Sequence, residues 1–135
     1  MKLPHGAHVA VVDGLRFLWL CNIGDDIHPQ LDHLDSPDLD PTNRSQGKMR
    51  HSITTSQNAG NDLDEAAHVA AAADWLNHKA MTNKIEQLVI VADKRSLGEL
   101  RRHYHPELEK RLIGEVGKAL TNHPIADIEQ AIASA

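Results

Sequence analysis

The five residues Leu88-Val89-Ile90-Val91-Ala92 are apolar without a break, with polar residues before them and Asp93-Lys94-Arg95 after. A run this short, rich in β-branched side chains and free of alternation, fits a strand whose two faces are both covered. Strands of that kind lie in sheets flanked by helices, so this one segment points to the α/β class.

The rest of the pattern builds around it. Val9-Ala10-Val11-Val12 ends in Asp13-Gly14, a dipeptide suited to the positive φ angles of a type I′ hairpin turn, and Leu15 to Asn22 reads as the returning strand. Phe17, Trp19 and Cys21 alternate with Leu18 and Leu20, apolar on both faces, which places this strand inside the sheet and makes Cys21 an inert core residue. Gln30 to Asp35 is a weaker, more polar third strand of edge character. From Ser36 to Asn61 no periodicity survives, and loops of that length in small domains are usually functional or mobile.

From Asp62 the period changes. Ala66, Val69, Ala70, Ala73, Leu76 and Ala80 share one helical face, with Asp62 and Glu65 spaced as a capping box. Ser96 and Glu99 are spaced to cap a second helix. Pro106 starts a third, with Leu108, Leu112, Val116 and Leu120 inward, and Pro124 starts a fourth carrying Ile125, Ile128 and Ile132. The predicted order is βββαβααα. Strand three, the first helix and strand four form a crossover, right-handed by rule, which makes those strands parallel. With strand four beside strand one, the expectation is a single domain over 1–135 with a four-stranded mixed sheet, order 3-2-1-4, flanked by helices.

Composition narrows the function. A chain of 135 residues, 41% hydrophobic and 24% charged, can bury a core without staples. The formal charge of −5 argues against a surface that binds nucleic acid or anionic membrane everywhere, while leaving local basic patches open. One cysteine rules out an internal disulfide and fits a reducing compartment. The first apolar run is cut by Asp13-Gly14 before it could form a signal-peptide core, and nothing approaches the ~20 apolar residues of a membrane span. The expected location is cytoplasmic, with no membrane partner.

Several stretches together carry a resemblance: Lys2-Leu3-Pro4-His5-Gly6-Ala7 followed by Val12-Asp13-Gly14, then Leu88 to Ala92, Ser96-Leu97-Gly98-Glu99-Leu100-Arg101, His105-Pro106-Glu107, and Lys118 to Ile125. In order and spacing the chain resembles the bacterial host-attachment protein family, whose members are described as required for attachment to host cells. That family is similar in plan to the middle domain of archaeal and eukaryotic peptide-chain release factors. The resemblance implies a ribonuclease-H-like sheet with a long loop after its third strand, which in release factors carries the Gly-Gly-Gln motif that enters the peptidyl-transferase centre. Here residues 36–61 hold no Gly-Gly-Gln, the nearest text being Ser56-Gln57-Asn58-Ala59-Gly60. The basic, proline- and glycine-containing stretch of the attachment family is replaced by Gly47-Lys48-Met49-Arg50-His51-Ser52-Ile53.

Three constellations could carry chemistry. Asp13, Asp35 and Asp93 follow strands one, three and four, and would gather at one sheet edge if those strands run the same way. Clustered carboxylates hold divalent metals in ribonuclease-H-like nucleases, although Asp before Gly and Asp before a helix are also ordinary turn and cap chemistry. A basic run, Arg44, Lys48, Arg50 and His51, meets no acid as far as Asn61 and could contact phosphate or an acidic partner; it lacks an aromatic for base stacking. The third group, Lys94, Arg95, Arg101, Arg102, His103 and His105, could join it as an anion or RNA patch, or be a solvated face neutralised by Glu99, Glu107 and Glu109.

The ten histidines form no zinc motif, and no P-loop, dinucleotide fingerprint or Gly-x-Ser-x-Gly is present, so neither a metal nor a cofactor is expected. The sequence therefore reads as a non-enzymatic interaction module with an RNA, ribosome or protein partner, contacting it through Arg44, Lys48, Arg50, His51, Arg95 and Arg101. A metal-dependent nuclease or phosphoesterase using Asp13, Asp35 and Asp93 is the alternative. A homo-oligomer built through the edge strand is a third reading.

Overall fold

The computed structural model describes residues 1–37, 39 and 57–135, the side chains of 57–63 excepted. Strand β1, His8–Val12, pairs antiparallel with β2, Phe17–Asn22, with Val12 opposite Phe17. Between them the Asp13 N–H donates to the Arg16 carbonyl at 3.1 Å, while the Asp13 carboxylate accepts the Leu15 and Arg16 N–H groups at 2.8 and 2.6 Å. Gly6 is the only glycine at positive φ among the described residues, so the turn is not the expected type I′. The Asp13 side chain folds the turn instead. Gly14 is required for a different reason: a Cβ there would stand 2.6 Å from Cβ of Glu65.

Strand β3, Leu31–His33, lies antiparallel on β2 at the edge of the sheet, as its polarity predicts. Strand β4, Leu88–Ala92, is buried at every position and runs parallel to β1, from Leu88 opposite His8 to Ala92 opposite Val12. The crossover from β3 to β4 is helix α1, Gln57–Met81. It starts five residues before Asp62, so the Asp62–Glu65 pair sits within the helix and does not cap it.

The four-stranded expectation is incomplete. A fifth strand, β5, Leu112–Val116, pairs parallel with β4 and extends the order to 3-2-1-4-5. The helix that Pro106 starts, here α3, stops at Arg111, and the order becomes βββαβααβα. Leu108, Leu112, Val116 and Leu120 have helical spacing, but Gly114 and the β-branched Ile113 and Val116 favour an extended chain, and pairing with β4 decides.

Helices α1, α2 (Lys94–Arg101) and α3 cover one face of the sheet, over Ala10, Val12, Phe17, Trp19, Leu88 and Ile90. The stripe Val69, Ala73, Leu76 and Ala80 of α1 is buried there, and its small side chains let the helix lie close. Helix α4, Ile125–Ser134, covers the other face with Ile128 and Ile132, together with Leu3 and Ala7. Polar Asn22 is fully buried and satisfied: its amide nitrogen donates to the Leu3, Pro4 and Asp25 carbonyls, and its oxygen accepts from Gly24 and Gln30. This one side chain joins the N-terminal segment to the β2–β3 connection.

Candidate functional site at the carboxyl ends of the strands

From β1 the chain steps one way across the sheet to β3, then returns and continues through β4 to β5 on the other side. The reversal lies between β1 and β4, and open α/β sheets tend to hold ligands at the carboxyl ends of such a strand pair. A cleft of about 540 Å³ opens there, between the Asp13–Arg16 turn, α1 and α2. Asp13 and Asp93 both line it. Asp35 does not, although β1, β3 and β4 do run the same way. Among the described residues no group of three or more His, Cys, Asp or Glu side chains is arranged to hold a metal ion.

The two aspartates in the cleft are engaged structurally. Beyond its two backbone donors, Asp13 accepts the Thr121 hydroxyl on its second oxygen, and its carbonyl contacts Nδ1 of the buried His68 at 2.9 Å. Burial pushes the Asp13 carboxyl up, but the hydrogen bonds from Thr121, Leu15 and Arg16, with nearby His68, outweigh it and leave its pKa below the ordinary value. Asp93 caps α2 by accepting the Ser96 N–H at 3.0 Å; Asp93, not a Ser96–Glu99 pair, is the cap of this helix. Thr121 and His68 have no sequence signal, since their partner lies on a distant turn.

The cations around the cleft are largely paired. Arg95 sits 4.0 Å from Glu65 and Arg102 3.2 Å from Glu99. Arg101 forks onto Glu115 of β5 through Nε and Nη2, and Tyr104 donates to the same carboxylate at 2.8 Å. Burial would raise the Glu115 pKa, but the bonds from Arg101 and Tyr104 bring it below the usual carboxylate value. Burial and the bond to Glu115 push the Tyr104 hydroxyl up. His105 caps α3, its Nδ1 accepting the Glu107 N–H at 3.0 Å. Arg44, Lys48, Arg50 and His51 lie outside the described residues.

Elsewhere, Cys21 is only partly buried, against the expectation of a core position, and burial followed by the Asp32 charge raises its pKa. A thiol held neutral in this way is a poor nucleophile.

Residues 7–132 match the model of bacterial archaeo-eukaryotic release factor family 12. The chain belongs to that family. No curated protein matches this family 12 chain. Membership agrees with the release-factor-like part of the resemblance and is compatible with a translation-related role. No helix among the described residues is long and apolar enough to cross a membrane.

Proposed function

We propose that this family 12 chain is a non-enzymatic module that associates with the ribosome in the cytoplasm. The observation that carries the reading is the match to a release-factor family over residues 7–132. On this reading the sheet is the counterpart of the ribonuclease-H-like sheet of release-factor middle domains, and the segment between β3 and α1 stands in chain order where their catalytic loop does. That segment contains no Gly-Gly-Gln, so the reading assigns contact and not peptidyl-tRNA hydrolysis.

The contact residues are Arg44, Lys48, Arg50 and His51 of the loop, with Arg95 at the cleft. Arg101 is left out because its charge is balanced by Glu115 in a two-pronged pair. The engagement of Asp13 and Asp93 by turn and cap donors also favours binding over carboxylate catalysis. Attachment to host cells, which the resemblance implies, would be an indirect consequence of a role in translation.

Co-sedimentation with ribosomes at low salt is the test. Association that disappears in the Lys48→Ala/Arg50→Ala variant supports the reading, and absence of association at any salt concentration overturns it.

A further inference from the structure

Most described cations already face a partner. Arg95, Arg101, Arg102, Lys110 and Arg111 each lie within 4.0 Å of a carboxylate, and Lys79 stands over the Trp75 ring. Lys2, Arg16, Lys84, Lys94 and Lys118 have no ion-pair partner among the described residues. Three of these five share one edge of the fold. Arg16 closes the turn after β1, Lys94 opens α2 after β4, and Lys118 follows β5 by two residues. Strands β1, β4 and β5 are neighbours and parallel, so their carboxyl ends span roughly 10 Å at ordinary strand spacing.

The row is held in place. Cγ of Lys94 lies 3.7 Å from where a Cβ on Gly117 would stand, which brings it beside Lys118. The Thr121 hydroxyl bonded to Asp13 ties the loop carrying Lys118 to the turn carrying Arg16. Of the acids at this edge, Asp13 and Asp93 are turned into their own loops by backbone donors, and Glu65 and Glu99 face Arg95 and Arg102. The amino end of α2 adds its positive dipole. Negative charge gathers around β3 on the other side of the sheet: between Phe17 and Pro37 there are four aspartates, Asp25, Asp26, Asp32 and Asp35, and no lysine or arginine.

We propose that Arg16, Lys94 and Lys118 form a row that tracks the phosphate backbone of RNA. This rests on the ribosome reading above and adds a second set of contact residues to those of the basic run. Three phosphate contacts on a single strand change the slope of log affinity against log salt by about 2.

The test measures binding of a short oligouridylate by fluorescence anisotropy across a KCl series, alongside ribosome co-sedimentation. All three residues are exposed, so the Arg16→Gln/Lys94→Gln/Lys118→Gln variant should melt like the wild type. Its salt slope should be shallower by about 2, while the off-edge Lys2→Gln/Lys84→Gln variant keeps the wild-type slope. A triple variant with the wild-type slope, or an off-edge variant that loses as much, overturns the row. If ribosome association persists in either case, the reading of function stands and only the row falls; if the wild type binds neither RNA nor ribosomes, both fall.

Discussion

Thr121, in the loop after the last strand, donates its hydroxyl to the carboxylate of Asp13, 108 positions earlier in the chain. The bond joins the two ends of the domain's sequence at the sheet edge that carries the cleft. Thr121→Val keeps the shape and removes the donor, leaving a half-buried carboxylate oxygen unpaired. Because the acceptor is charged, urea denaturation should report a loss of about 1.5–3 kcal/mol, with Thr121→Ser close to wild type. The folded Asp13 pKa lies below its ordinary 3.8, so its stabilisation is complete above that value and is lost as pH falls through the folded pKa. The valine variant should show a smaller acid-side loss.

His8 stacks on Trp19, with ring centroids 4.7 Å apart and planes 12° apart, and its buried Nδ1 has no hydrogen-bond partner among the described residues. Burial first, and the charge of Lys79 second, lower its pKa from 6.5. The native state therefore binds fewer protons at this site than the unfolded chain, so stability is intact above pH 6.5 and declines as pH falls below it. Wild type should lose stability between pH 7 and pH 5, and His8→Phe, which preserves the stack, should lose less. Chemical denaturation at the two pH values checks this, and equal losses would remove His8 as the cause.

Much of the sheet is legible from residues alone, because β4 and the β1–β2 hairpin are coded locally by Leu88 to Ala92 and by the apolar runs on either side of Asp13-Gly14. Strand β5 is hidden because Leu108, Leu112, Val116 and Leu120 imitate a helical stripe, against which Gly114 and the β-branched Ile113 and Val116 are the contrary signal. That one misreading also conceals the fate of Arg101, whose partner Glu115 lies on the missed strand. The early start of α1 is similarly hidden by Gln57 to Asn61, which contain Gly60 and carry no apolar period. At the site, Asp13 and Asp93 can be placed from strand direction, whereas Thr121 and His68 cannot, since tertiary packing alone brings them to the turn.

Two glycines should respond oppositely to alanine. Gly98 lies in α2 with ordinary helical φ, and a Cβ there would meet nothing within 4 Å. Gly98→Ala should therefore stabilise by about 0.5–1 kcal/mol through helix propensity alone. At Gly14 a Cβ would press on Cβ and Cγ of Glu65, both at 2.6 Å, and the turn would have to shift away from α1. Gly14→Ala should destabilise by about 1–3 kcal/mol, as overpacking does. Thermal melts of the two variants decide it, and a stabilising Gly14→Ala would show that the turn can move freely.

The edge strand is guarded from the opposite layer. The Leu31 N–H donates to Oε2 of Glu129 on α4 at 2.7 Å, across 98 positions of sequence. Antiparallel pairing directs the N–H groups of Gln30, Asp32 and Leu34 toward β2, so that of Leu31 faces outward, where another strand could add. The carboxylate fills that position. Glu129→Ala should cost about 1–2 kcal/mol and speed amide hydrogen exchange at Leu31 before it affects β1 or β4. It should also increase self-association in size-exclusion chromatography at high concentration, whereas Glu129→Gln, which retains an acceptor oxygen, should remain closer to wild type in both measurements. Unchanged exchange at Leu31 in the alanine variant would mean that β2 alone holds β3 in place.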